Sequence, residues 1–360
     1  MSLKTDSKSG LARIADLSKI YNSLTAGVRQ YYESKPVNFV PVQQIVGITG
    51  ACENVDTLFK VGSRIHKPLF LAQTGQLVLE QALQVFPGVY TIIQSGRDEE
   101  TVDERHLRLF HLIEEEFDSS YIGKTRKNYD EEEMYESMLS SIEKSIKSMA
   151  KRVYADHGKM LVSKYKQKPE KFSNLSKKKF LRILYQDAVE LLKKHGFPSL
   201  TFGDDLKANH EQKVVELVNK KHGNIKRHLM LPVFIMRYPK EIKFFNMKVS
   251  QKDSRVVLSA DLILPRSGEA VGSSVREHRG RELKDRLLTS NMFRLHQSQG
   301  GKYEDFTWYV EDIIGKEKTN PHAGYGIGAE RVMQYILDEP DIRQCCPIHL
   351  MAQFSGDWQE

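Results

Sequence analysis

Cysteine is scarce in this chain, with three in 360 residues: Cys52 and the adjacent pair Cys345 and Cys346. That excludes a disulfide framework, and two neighbouring cysteines do not have the spacing of a zinc motif. Long apolar runs are missing too. No stretch approaches the roughly 20 apolar residues that cross a bilayer. The segment Met1 to Gly10 is polar and lacks the pattern of a secretion signal. A cytoplasmic protein without a structural metal is expected. No internal repeat or low-complexity tract is evident.

What is present is length and a modest positive charge. A chain of 360 residues holds one large or two ordinary domains and can bury a substantial core. Its net charge of +7 favours polyanionic partners, but only weakly. The excess is visible in Lys164-Tyr-Lys-Gln-Lys168, Lys171 and Lys177-Lys-Lys179. These runs read equally as a solvated face or as a surface for RNA.

Leu11, Ile14, Leu17, Ile20, Tyr21, Leu24, Val28 and Tyr31 recur at spacings of three and four, which predicts an amphipathic helix over residues 11–33. Met134, Met138, Ile142, Ile146, Met149 and Val153 predict a second helix. Phe180, Leu181, Leu184, Val189, Leu191 and Leu192 predict a third, capped by Gly196. Between them, Lys164 to Ser176 is charged, aperiodic and carries Pro169, so a loop is expected. Beyond Pro232 the apolar runs shorten to Val233–Met236, Phe244–Val249, Val256–Leu264 and Glu269–Val275, each expected as a strand.

Two arginine motifs carry the chemistry. The first is Ser95-Gly96-Arg97-Asp98-Glu99, then Arg105-His106-Leu107, Phe110 and Ile113-Glu114-Glu115-Glu116-Phe117. It reads as a strand from Tyr90, a polar loop and a return strand from Leu107. The second is Gly324-Tyr-Gly-Ile-Gly-Ala-Glu330-Arg331, running into the helical pattern Val332, Met333, Tyr335, Ile336. Alternating glycines strip one strand face of side chains, so a flat ligand can approach the backbone. Arg331 then stands where it can stack on a base or pair with phosphate.

Together these stretches resemble motifs 2 and 3 of the class II aminoacyl-tRNA synthetases, in the aspartyl and asparaginyl subgroup. Phe39 to Phe59 looks like the motif 1 region, Leu71-Ala-Gln-Thr-Gly-Gln-Leu-Val-Leu-Glu80 like the substrate loop, and Gly203-Asp-Asp-Leu206 and Tyr238-Pro-Lys-Glu-Ile-Lys243 like asparaginyl segments. Arg255 to Asp261 and Gly268 to Glu277 complete the set. The first ten residues and the stretch from about Ser119 to Gly196 lack a clear counterpart.

The resemblance implies an α+β fold: an antiparallel sheet of six or so strands flanked by helices, with a helical insertion. A single catalytic domain would span 1–360, with the first helix at 11–33, motifs 1 and 2 at 39–118, the insertion at 119–230, and the metal strands and motif 3 at 231–350. A homodimer through the first helix and motif 1 is implied. The resemblance also implies ATP and Mg2+ as cofactors. Arg97 would clamp the α-phosphate and the substrate carboxylate, and Arg331 and Phe110 would sandwich the adenine. Glu99, Arg105 and His106 would contact the nucleotide, and Asp261 and Glu269 would hold magnesium beside the phosphates.

For the amino acid, the resemblance assigns Glu53 to the ammonium, Gln76 to the substrate loop, and Arg276 with Glu277 to the side chain. Leu79 decides the preference. Aspartyl enzymes and the related archaeal asparagine synthetases carry lysine there, and a leucine offers no charge to a second carboxylate. Asparagine is therefore the expected substrate. His210 and Glu211 follow the Gly203 to Leu206 segment and could close over the pocket, but a helix start with surface charges is the preferred reading, and His322 is given no role.

Some positions depart from the family pattern. About 38 residues precede Phe39, too few for the anticodon-binding OB-fold, so that module is expected to be absent, with contact at most to the tRNA acceptor end. Ile45, Gly75 and Gly96 replace the usual proline, proline and phenylalanine, and Asp341 to Leu350 differs from the usual ending. Three readings follow. Asparagine is activated as an adenylate and passed to tRNA or another acceptor; aspartate is adenylated and converted with ammonia to asparagine; or a non-catalytic paralogue binds nucleotide for regulation. Leu79 puts the first ahead.

Overall fold

The apolar stripe of the first helix is spent within its own chain. In this computed structural model, which describes residues 7–47, 55–64, 69–100, 103–298 and 300–355, α1 (Ser7–Glu33) lies along a later helix, and Leu17, Ile20, Leu24, Val28 and Tyr32 have no exposed surface. Each such side chain contributes about 1.5–3 kcal/mol of burial. The expected dimer contact through this helix therefore has to use another face.

The strands in chain order are β1 (Asn38–Phe39), β2 (Ile45–Val46), β3 (Lys60–Val61), β4 (Leu69–Leu71), β5 (Gly88–Gly96), β6 (Leu109–Asp118), β7 (Leu181–Leu184), β8 (Val233–Met236), β9 (Ser259–Leu264), β10 (Gly268–Val275) and β11 (His322–Gly328). Eight form one sheet in the order β1-β5-β6-β11-β10-β9-β8-β7, and β2-β4-β3 form a small second sheet. The six central strands pair antiparallel, while β1 and β7 join the edges in parallel. The fold is α+β as expected, with two short parallel edges added.

After α1 come α2 (Gln76–Ala82), α3 (Glu131–Ser163), α4 (Pro169–Lys177), α5 (Tyr185–Lys193) and α6 (Ala208–Lys221). On one sheet face, α1 and α3 cover Leu262, Val271, Tyr325 and Ile327 in the main core. The other face is covered at one end by α5 and α6, over Val233, Ile235 and Ile263, and by α2 at the other. Between these two covers it lies open, and that gap is the cleft. Gly280 to Gly315 builds a helical layer beside α2, held by Phe245, Leu287, Phe306 and Tyr309.

Three local expectations are corrected. Lys164 to Lys168 is a loop as expected, but from Pro169 on the stretch is helical, because Pro169 opens α4 at its first turn and Phe172 and Leu175 bury its inner face. Phe180 to Leu184 is not helical: β7 pairs with β8, and the helix begins only at Tyr185. Phe244 to Val249 forms no strand; Met247 and Val249 make isolated bridges to Arg276 and Val257.

Candidate functional site

Strand alternation decides which side chains reach the cleft. On β6, Phe110, Leu112, Glu114 and Glu116 face it, and Glu115 points to α3, where Ser141 donates to it at 2.7 Å. On β11, Gly326 and Gly328 line the cleft. Gly324 serves another purpose. A Cβ there would stand 2.0 Å from the Glu116 carboxyl carbon, so this glycine makes room for a protein carboxylate, not for a ligand. On β9 and β10, Asp261 lies opposite Gly272 and Glu269 opposite Ile263, with a bulge between Glu269 and Val271. Three residues apart, Glu269 and Gly272 would face opposite ways; the bulge returns both to the cleft.

The cleft measures about 670 Å³, and it brings together Gln76, Arg97, Glu99, Arg105, His106, Phe110, Asp261, Glu269, Arg276 and Arg331. Glu53 lies outside the described residues. Leu79 and Glu277 do not line the cleft, which corrects their placement. Leu79 is fully buried against Leu83 and Val89 under α2. Glu277 is held away by Arg279, whose Nε and Nη2 each donate to it at 2.8 Å.

At the end of the cleft where the resemblance places the nucleotide, the charges outnumber their partners. The Arg97 guanidinium lies 5.6 Å from the Phe110 ring centre. Arg331 donates to the carbonyls of Ser267 and, at 2.5 Å, Arg105, and burial with the neighbouring Arg105 lowers its pKa to about 10. His106 is half exposed and bonded to Asp103 at 2.8 Å. The glutamate of the second arginine motif, Glu330, is buried and accepts from the His111 backbone at 2.9 Å, so it fastens the helix α10 (Ala329–Leu337, after α7 Gly280–Thr289, α8 Asn291–Ser298 and α9 Thr307–Tyr309) to β6 while Arg331 is presented.

Opposite these cations stand three carboxylates. Lys243 donates to Asp261 at 2.6 Å, and Glu211 lies 3.6 Å from Arg105. Glu269 opens to the cleft yet sits deep among protein groups; burial and the nearby Asp261 push its pKa up to about 8. Burial and Asp261 likewise push Glu211 up to about 7. Burial alone would lower the Lys243 pKa, but Asp261 and Glu269 outweigh it and raise it. Lys243 already pairs with Asp261, and among the described residues no three such donors stand close enough to hold an ion unaided. Asp261 and Glu269 offer only a few oxygens, which phosphate and water would complete, and that incomplete donor set suits magnesium. Glu211 lines the cleft, which favours closure over the pocket and overturns the preferred reading of a surface charge. Its β9 neighbour is distant in sequence, and only folding brings them together.

The end where the resemblance places the amino acid is closed in on itself. Arg276 is buried and donates to Glu116 through Nε, at 3.3 Å, and Nη2, at 2.5 Å, with Nη1 on Ser274 at 2.8 Å. Glu80, also buried, accepts from Gln76 at 2.7 Å and Tyr309 at 2.6 Å, and bonds His322 at 2.9 Å. Burial would raise the Glu80 pKa, but His322 and Arg276 outweigh it and lower it; burial would lower that of His322, and Glu80 raises it instead. Two anions thus balance two cations. Glu114 is held by the Gly75 amide at 2.7 Å and by the Thr74 hydroxyl. Glu80, Glu116 and His322 were missed as site groups; period-two counting from Glu114 was the available signal for Glu116.

Comparison with known proteins agrees with this architecture. The family profile described as tRNA synthetases class II (D, K and N) matches residues 12–348. The chain belongs to that family. Among its relatives, the asparagine–tRNA ligase of Clostridium botulinum is 32% identical over 285 residues, covering 78% of this chain and 54% of the relative. That of Pyrococcus furiosus is 30% identical over 298 residues, covering 82% and 59%. The chain thus spans little more than half the length of these relatives. The solved asparaginyl-tRNA synthetase of Pyrococcus horikoshii, complexed with asparaginyl-adenylate, superposes with a TM-score of 0.76 at 26% identity, covering 93% of this chain and 68% of that one. With that coverage, the stretch from Ser119 to Gly196 is too long to fall wholly outside the shared fold.

Proposed function

We propose that this chain activates L-asparagine with ATP, forming asparaginyl-adenylate and pyrophosphate, and passes the acyl group to tRNA. The observation that carries the choice of substrate is the double-donor pairing of Arg276 with Glu116. A cation already neutralised by a buried carboxylate has little to offer a second one, so an entering aspartate side chain would be desolvated without compensation, whereas an amide is neutral. This argument replaces the one from Leu79, which faces away from the cleft.

In the reaction, a substrate carboxylate oxygen attacks the α-phosphorus and the bond to the pyrophosphate oxygen breaks. Arg97, exposed in the cleft, is placed to neutralise both approaching anions. Phe110 and Arg331 offer the faces for adenine, with Glu99, Arg105 and His106 beside them. Asp261 and Glu269, with Glu211 close by, would hold magnesium, whose charge would offset that of the phosphates. The relatives named above act with tRNA or hold asparaginyl-adenylate, which supports the same reading.

Exchange of labelled pyrophosphate into ATP tests it. Exchange is expected to depend on L-asparagine more than on L-aspartate. Aspartate-dependent exchange with ammonia-driven release of asparagine would select the synthetase reading, and ATP binding without exchange would select a regulatory nucleotide-binding role.

A further inference from the structure

The positive charge of this chain is concentrated on one face away from the cleft. Residues 164–182 carry eight lysines and arginines against one acid, Glu170, and residues 220–228 carry four against none. Since the whole chain is only +7, everything else is net acidic. Folding brings the two segments together. Asn174 of α4 donates to the Leu229 carbonyl at 2.6 Å, and Lys178 to Asn224 at 3.2 Å, so α4 lies against the turn at Arg227–Leu229.

Where they meet the end of α10, a cavity of about 340 Å³ opens, lined by Lys166, Lys168, Lys171, Arg227 and His228, with Asp338 as the acid. Part of this charge has a structural task. Lys171 donates to the Tyr335 and Ile336 carbonyls, Arg227 pairs with Asp338, and Arg266 donates to the Asp338 carbonyl at 2.9 Å, all capping the helix end. Lys164 pairs with Asp16 and Arg182 with Glu136, so within the two segments Lys164, Lys171, Arg182 and Arg227 are engaged by the protein itself. Lys168, Lys177 and Lys226 are exposed with no anionic partner among the described residues. The backbone is forced here as well: Lys166, Arg266 and Asp338 adopt φ of 56°, 72° and 53°, a left-handed conformation that non-glycine residues enter at a cost. Burial with Arg227 and Arg266 nearby brings the Lys171 pKa down to about 8, although Asp338 opposes this; an arriving anion would relieve the crowding.

We propose that the face formed by α4 and the Arg227 turn docks the phosphodiester backbone of RNA, with one phosphate seated in the cavity at the end of α10. A phosphate oxyanion can accept from several of these cations at once, while Lys168 and Lys177 at the two ends of α4 and Lys226 before the facing turn suit successive phosphates rather than a single anion. From Arg331 to Asp338 the helix advances roughly 10 Å at 1.5 Å per residue, so RNA held here lies near the cleft without entering it. The inference names a surface for the nucleic-acid partner of the proposed reaction, yet it is measured without any adenylation.

The test is fluorescence anisotropy of a labelled oligouridine with the full chain, wild type against the triple variant K168E/K177E/K226E, over a series of salt concentrations. The variant should bind at least tenfold more weakly, with a slope of log affinity against log salt shallower by about 2, as expected for three lost phosphate contacts on a single strand. It should keep wild-type circular dichroism, thermal midpoint and asparagine-dependent exchange. R97A, altered in the cleft, should bind the RNA as wild type does. Equal affinity of wild type and triple variant, or variant-sensitive binding to phosphatidylserine vesicles with none to RNA, overturns the proposal; loss of exchange with RNA binding intact in wild type would count against the catalytic reading alone.

Discussion

The two ends of the cleft handle charge in opposite ways. At the nucleotide end, Arg97 has no carboxylate partner among the described residues, Arg331 is spent on carbonyls, and Asp261, Glu269 and Glu211 crowd one another around a single lysine. At the amino-acid end, Arg276, Glu116, Glu80, His322 and Tyr309 satisfy each other in a buried network. The first arrangement waits for a ligand that brings both phosphates and a cation. The second is complete, so it can accept only a group that asks for no net charge. On the proposed function, the end that would meet ATP keeps charges for it to complete, and the end that would tell a neutral amide from its acid keeps its charges paired.

The largest expected effect breaks the nucleotide end. Arg97→Ala or Arg331→Ala should lower asparagine-dependent exchange by about 10³-fold, on the order of 4 kcal/mol of transition-state stabilisation. Near wild-type exchange in either variant would remove that residue from its role. Next, Glu116→Gln should leave Arg276 with only Glu80, 3.9 Å away and shared with His322, as its counter-charge. The ratio of asparagine to aspartate exchange, measured as kcat/KM, should then fall about tenfold or more, close to 1.4 kcal/mol. An unchanged ratio would sink the pairing argument for substrate choice.

A smaller effect comes from the edge of the network. Tyr309→Phe removes a buried donor to an ionised Glu80, and urea unfolding should report a loss of about 1.5 kcal/mol, with KM for asparagine rising more than kcat falls. The smallest is a pH effect. Burial, with Glu80 adding to it and Arg276 opposing, raises the Glu116 pKa from its ordinary value to about 7. The folded state therefore binds this proton more tightly than the unfolded chain does. Its contribution to stability is full below the ordinary carboxylate range and is lost as pH rises through 7. Selectivity should move the other way, flat above pH 7 and eroding below it as Glu116 takes up a proton and lets go of Arg276. A ratio of asparagine to aspartate exchange that stays constant from pH 8 to about 6 would count against this.

Much of the nucleotide end was legible in the residues. Arg97 and Phe110 belong to the first arginine motif and Arg331 to the second, Asp261 and Glu269 were named by the family resemblance, and the fold, with the bulge after Glu269, brings all five to one cleft. The amino-acid end was harder to read. Leu79 looked decisive and Glu277 was assigned with Arg276 to the side chain, but helix phase turns Leu79 under α2, and Arg279 holds Glu277. Glu211 and His322 looked ordinary because the groups that give them meaning, Asp261 and Glu80, are far away in sequence.

By itself the sequence determined the period of α1 and α3, the two arginine motifs, and the family to which the chain belongs, because helix spacing, strand alternation and glycine positions are local properties. It also held the charge asymmetry, written plainly as lysine runs in 164–182 and 220–228. Only the tertiary structure decided that α1 spends its stripe on α3, that Gly324 makes room for Glu116, and that the lysine runs form one face. Each of these is a contact between distant segments, and burial and pairing energies depend on which groups finally touch, which no local pattern encodes.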